Sequence, residues 1–202
     1  SQARAYYAGV MRKIVLDEFW HLLRRVAESV TAAQANYQVW FTLKGEGKAL
    51  PEYYDDMNDG AYVDFFHVIN AGTYKLMFIE LGCLFDTDDR SSSIRNLKKS
   101  LREIGRDDLA TKLELGLKDF SHLVSNILTI RSKLMAHKEL GCLSEDVHAT
   151  NEVIPDGIGH LIRKCAVLVN EINSEIFDMS GILMCSVETM RYENATFNML
   201  QT

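Results

Sequence analysis

From about Met11 to Leu43 apolar residues recur at spacings of three and four, through Ile14, Val15, Phe19, Leu22, Leu23, Val26, Val30, Ala33, Tyr37, Trp40 and Phe41. That spacing predicts one long amphipathic helix. Periodicity stops over Lys44 to Gly60, where Gly45, Gly47, Pro51 and an acidic cluster predict an unusually long loop. A second helix is expected from about Ala61 to Phe85. The polar run Asp86 to Ser93 supplies turn and N-cap residues before a short basic helix, Ile94 to Ile104, that ends at Gly105. Asp107 and Asp108 then open a fourth helix, read as continuous from about Leu109 to Glu139 and stopped by Gly141. A polar loop, Cys142 to Val153, precedes a fifth helix that begins near Pro155 and runs to about Phe177. Beyond Asp178 the pattern weakens, and Met179 to Thr202 stays open between a further helix and an extended tail.

The expected fold is therefore all-α, an up-and-down bundle of five or more helices with the first and fourth the longest. Residues 1–202 read as a single helical domain with its core in about 10–178. Composition agrees: 47% hydrophobic and 25% charged residues with only two prolines favour long helices around a real core. A net charge of -6 argues against holding nucleic acid by bulk positive potential, so any such contact must be local. Cys83, Cys142, Cys165 and Cys185 form no CxxC pair and sit mostly beside Leu, Gly, Ala or Met, which reads as buried free thiols in a reducing compartment. No apolar run reaches the roughly 18 residues of a membrane span and no signal peptide is visible, so a cytoplasmic protein is expected.

Few constellations survive comparison with their plainer explanations. Asp55 to Gly60 hints at a calcium loop, but Met57 stands at the third ligand position and Phe66 where a bidentate Glu is required. Gly45-Glu46-Gly47-Lys48-Ala49 lacks the upstream glycine and the magnesium-binding hydroxyl of a phosphate loop. Asp86, Asp88 and Asp89 read as turn and capping residues before a metal site. His21, His67, His122, His148 and His160 show no zinc-ligand spacing. Arg95, Lys98, Lys99 and Arg102 make a basic face that is either simply solvated or touches phosphate.

Arg131 and His137 stand apart by context. On a helical wheel Leu113, Leu117, Phe120, Leu123, Val124, Ile127, Ile130 and Leu134 fill one arc, and Arg131 falls inside it. His137 lies about 120° around and about 9 Å along the axis from Arg131. An arginine in an apolar stripe is costly unless a carboxylate or an interface accepts it. A histidine with Lys133 one turn away and Lys138 beside it can move protons near a bound phosphate. The alternative is structural, with Arg131 paired to a carboxylate such as Glu80 or Asp119 and His137 merely ending the helix.

The run Arg131-Ser132-Lys133-Leu134-Met135-Ala136-His137-Lys138-Glu139, at the end of a helix and followed by a polar loop and another amphipathic helix, resembles the Arg-x(4 to 6)-His signature of the HEPN superfamily. Leu76 to Asp86, then Ser92, Ser93 and the short helix through Leu97 and Leu101, is similar to the segment before the motif in the AbiU-like, abortive-infection branch. The resemblance spans about Val10 to Asp178 in order of elements. It implies a helical bundle that forms a homodimer, so that two motif copies face one cleft, and a metal-independent RNA endonuclease needing no cofactor, in a toxin or antiphage-defence setting. By position, Arg131 would hold the scissile phosphate and His137 would be the acid-base residue, with Ser132, Lys133 and Lys138 as RNA or phosphate contacts. Many active members carry Asn, Asp or His after the arginine, where this chain has Ser132. That departure leaves open a weaker enzyme or a non-catalytic binding or regulatory module, one that pairs with a nucleotidyltransferase antitoxin or binds a nucleotide.

Overall fold

The computed structural model describes residues 2–44, 49–133, 154–178, 184–185 and 191–201. Among the described residues there is no strand. The chain runs through α1 (Gln2–Leu43), α2 (Ala49–Asn58), α3 (Val63–Leu84), α4 (Ile94–Glu103), α5 (Asp107–Leu117), a single 3-10 turn (Lys118–Phe120), α6 (Ser121–Arg131), α7 (Pro155–Phe177) and α8 (Arg191–Leu200). This is the expected all-α class.

α1 is the spine. Its buried stripe, Phe19, Leu23, Val26, Val30 and Ala33, repeats at four and three residues as a core-facing helix must. α3 packs along it through Met77, Phe78, Leu81 and Leu84, and α7 joins the same core through Ile158, Leu161, Cys165 and Val169. Each such fully buried side chain contributes about 1.5–3 kcal/mol of transfer free energy. α4 packs on α5 and on α1, closing one end with Leu97 and Leu101. Among the described residues, no helix is long and apolar enough to cross a membrane.

Local signals stop the helices where the sequence suggested. The Ser93 side chain accepts a bond from the Asn96 N–H at the start of α4. Gly105 ends α4 at φ +79°, with the Arg106 N–H donating to the Leu101 carbonyl at 2.8 Å and the Gly105 N–H to Arg102 at 2.9 Å. These crossed bonds close the last carbonyls and need a left-handed residue that glycine adopts without strain.

Three expectations change. The long loop after α1 contains α2, kinked at Tyr53 (φ −117°, ψ 23°), and Asp55 to Asn58 are helical, a conformation no calcium loop shares. The fourth helix is not continuous: it breaks at Lys118–Phe120, so that neither α5 nor a second piece carried from Ser121 to the expected end at Glu139, which lies outside the described residues, matches α3 and α7 in length. The two halves serve different neighbours, α5 lying on α7 and α6 on α3. Three residues at the 3-10 pitch turn the apolar stripe by about 60° more than an α-helix would, which re-aims it from one to the other.

The open C-terminal segment resolves in favour of structure at both of its described stretches. Asn170, on α7, grips the backbone of Cys185 with both ends of its amide, Nδ2 donating to the carbonyl at 2.8 Å and Oδ1 accepting the N–H at 3.0 Å. Farther on, the Tyr192 N–H donates to Gln38 Oε1 at 3.0 Å, seating α8 on α1.

Cys165 and Cys185 are buried free thiols, and burial is the first cause that pushes each up to about 12. Cys83 is half-buried, and Cys142 lies outside the described residues. In a Cys142→Ser background a thiol reagent is therefore expected to modify Cys83 under native conditions and to reach Cys165 and Cys185 only on global unfolding. Mapping the modified peptides by mass spectrometry with and without denaturant checks this; native labelling of Cys165 as fast as Cys83 would contradict it.

Candidate functional site

The motif arginine is placed by the packing of α6 on α3. Ile127 and Ile130 are fully buried at that contact, so the next residue, Arg131, emerges over the C-terminal part of α3. There it crosses Gly82. A Cβ on Gly82 would come within 2.0 Å of Arg131 Cδ and 2.6 Å of Nε, so only glycine admits the side chain along this path. The guanidinium ends beside the loop after α3, where Nη1 donates to the Gly82 carbonyl at 3.3 Å and lies 3.5 Å from Asp86 Oδ2.

The loop that carries Asp86 is held by its own polar side chains. Asp86 Oδ1 accepts the Asp88 N–H, Asp88 Oδ1 accepts the Arg90 N–H, and the buried amide of Asn96 donates to the carbonyls of Asp88 and Ser91 at 2.8 and 2.7 Å. Asp86 and Asp88 thus order turns, Asp89 faces Arg95, and the helix cap itself is Ser93. Among the described residues, no group of three or more His, Cys, Asp or Glu is placed to hold a metal ion.

The structural alternative for Arg131 named Glu80 or Asp119, whereas the carboxylate that meets it is Asp86. The pair is partly open, with side chains 34% and 29% exposed. A pair so exposed is worth at most about 1 kcal/mol, which leaves the guanidinium able to turn toward an anion of higher charge. Its field reaches Cys83, whose thiol is raised chiefly by burial while Arg131 pulls it down and Glu80 and Asp86 push it up.

Ser132 and Lys133 follow in a wider, π-type turn, and both are exposed. His137 and Lys138 lie outside the described residues. The structure therefore places Arg131, Ser132 and Lys133 in succession at the C-terminal side of α6 and sets Gly82 and Asp86 against the arginine, a place the sequence reading gave to neither. Gly82 did leave a signal: a glycine inside a helix costs about 1 kcal/mol against alanine, so one within an otherwise apolar helical run implies close approach by something. Asp86 left none that separates it from its acidic neighbours.

The second basic cluster is largely consumed. Lys98 and Arg102 both pair with Glu114 of α5, at 3.3 and 3.2 Å, and Arg95 donates to the Thr87 carbonyl and lies 3.6 Å from Asp89. This face staples α4 to α5 and to the loop.

Compared with known proteins, the chain matches a HEPN-class family model described as AbiU2 over residues 16–183, a span containing all of α2 to α7 and the Arg131 to His137 run. No curated protein and no solved structure matches it.

Proposed function

Since the chain belongs to the AbiU2 family of HEPN domains, we propose that it is a metal-independent RNA endonuclease acting in abortive infection or a related toxin setting, in the cytoplasm. The observation that carries the reading is the seat of Arg131. A guanidinium fixed over a glycine by one corner, Nη1, and one-third exposed is arranged to take up a phosphate, to which arginine gives charge-assisted bidentate bonds.

In the proposed reaction the ribose 2′-hydroxyl attacks the adjacent phosphorus in line, the bond to the 5′-oxygen breaks, and a 2′,3′-cyclic phosphate forms. One proton leaves the attacking oxygen and one reaches the leaving oxygen, so an imidazole on either side suffices. His137 of two chains supplies both if a homodimer brings the motifs to one cleft. The second copy is expected to pack around the fourth helix, where Arg131 stands on the apolar stripe. Arg131 stabilises the charge that grows on the phosphoryl oxygens. Ser132, Lys133 and Lys138 contribute phosphate affinity.

The test is the purified protein with single-stranded and transfer RNA in EDTA, its dimer checked by light scattering, with the cleaved ends identified. Cyclic phosphate ends support the reading, and an absolute need for magnesium defeats it. Lys133→Ala is expected to weaken RNA binding more than it slows the chemical step, lowering the slope of log affinity against log salt by roughly one counterion. Ser132 favours a second reading, in which the chain is a non-catalytic module that pairs with a nucleotidyltransferase antitoxin or binds a nucleotide. Absence of cleavage together with co-purification of such a partner decides for it.

A further inference from the structure

The loop between α3 and α4 gives each of its aspartates a different arginine. Arg90 donates to Asp88 through Nε at 3.1 Å and Nη2 at 2.8 Å, and Asp89 lies 3.6 Å from Arg95, so both pairs close within the loop or on the first turn of α4. Asp86 reaches instead to a distant element, meeting Arg131 at the end of α6. Its carboxylate is not free to swing. Oδ1 accepts the Asp88 N–H at 2.9 Å, which turns Oδ2 toward the arginine. Behind that turn the amide of Asn96, 8% exposed, ties the carbonyls of Asp88 and Ser91 to α4. Asp86 therefore stands where the packed loop puts it, and the long side chain of Arg131 conforms.

The arginine has a second anchor on α3. The last turn of a helix leaves carbonyls without an intrahelical donor. Here the Phe85 and Asp86 N–H groups close on the Leu81 and Cys83 carbonyls at 3.1 and 3.3 Å, while the Gly82 carbonyl between them takes Arg131 Nη1. A cation there also meets the negative end of the helix dipole. Both anchors use Nη1, so Nη2 meets no protein acceptor among the described residues and is left for an anion.

We infer, resting on the reading of Arg131 as the phosphate ligand, that Asp86 is a positioning residue: it holds Nη1 of Arg131 so that Nη2 is presented to a phosphate. The expected effect runs against simple charge. A carboxylate that merely stood beside a phosphate site would repel the substrate, and its removal would only tighten binding. A positioning carboxylate is missed in the chemical step, where the donor must already be in place.

Single-turnover cleavage of RNA by Asp86→Ala and Asp86→Asn separates the two. A rate about fivefold lower is expected, the change in population that a partly exposed ion pair sustains, with half-saturating RNA no higher than in wild type. A rate at or above wild type, or a loss confined to binding, overturns the inference. Cys83 supplies a second measurement that does not depend on cleavage, because Arg131 lowers its thiol while Glu80 and Asp86 raise it. Fixed charges act additively, so if Asp86 merely stands nearby, its removal lowers the pH of half-maximal alkylation equally with Arg131 present or replaced by alanine. If Asp86 holds the arginine, the lowering is smaller or reversed when Arg131 is present, since the field of the guanidinium is given up as well. Equal shifts, measured in a Cys142→Ser background, overturn the inference. Should the wild type cleave no RNA, the nuclease reading falls alone and the thiol shifts still decide whether Asp86 holds Arg131. Asp86→Asn keeps an acceptor for the Asp88 N–H, so it decides if Asp86→Ala fails to fold.

Discussion

His137→Ala is expected to cut RNA cleavage by about 10²–10⁴-fold, the usual scale for removing a positioned general acid or base. An imidazole has its pKa near 6.5, close to the pH of the reaction, so it both accepts and returns a proton without an auxiliary group. Neither neighbouring cation can replace it, since an ammonium group donates hydrogen bonds and has no lone pair with which to accept a proton. Arg131→Lys should lose most activity for a different reason: an ammonium is a point charge and cannot reproduce the two parallel bonds of a guanidinium. Single-turnover cleavage in EDTA, with circular dichroism confirming the helical fold of each variant, is the measurement. A His137→Ala protein that cleaves at the wild-type rate would refute the mechanism, whereas partial recovery on adding free imidazole would strengthen it.

Gly82→Ala should be nearly as damaging to cleavage while sparing the fold. A methyl group at Gly82 meets Arg131 Cδ at 2.0 Å, so the arginine must leave its path and give up both the Gly82 carbonyl and Asp86. A misplacement of about 1 Å at a reacting centre can cost about 10²-fold, and expulsion from this seat exceeds that. Helix α3 itself gains, because alanine is favoured over glycine in a helix interior by about 0.8–1 kcal/mol. The expected result is an unchanged or slightly raised melting temperature with a loss of at least about 10²-fold in rate. A double variant, Gly82→Ala with Arg131→Lys, separates this from a general packing defect. If glycine acts only through the arginine, the double loses little more than the worse single, while two independent defects would add. Wild-type cleavage by Gly82→Ala would mean that the seat of Arg131 is irrelevant to catalysis.

How far the sequence could be read differs sharply between helices and partners. Burial on one helix face repeats every three or four residues, so a window of a dozen residues contains the whole signal. That is why α1, α3, α4 and α7 follow the pattern of Phe19 to Val30, Met77 to Leu84, Leu97 to Leu101 and Ile158 to Val169. Caps are equally local, which is why Ser93, Gly105 and Pro155 mark their helix ends in both descriptions. The same locality hid the break at Lys118–Phe120. The apolar residues continue across it without a proline, and one tight turn only re-aims a stripe whose two halves pack on different helices.

From residue type and spacing came an all-α chain and the absence of convincing calcium and phosphate loops, and from the resemblance to HEPN sequences came the motif from Arg131 to His137 as the place to look for chemistry. Only the tertiary structure decided what meets Arg131. Gly82 is 49 positions from it in the chain, and Asp86 is one of several carboxylates with equal claim by charge. Asn170, 15 residues from the Cys185 backbone it grips, and Gln38, 154 residues from the Tyr192 N–H it receives, belong with them. The physical reason is common to all three. Helix formation is a contest settled by neighbours three and four residues apart, whereas the partner of a buried or half-buried polar group depends on which helices the core brings together, a property of the assembled packing and of no single segment.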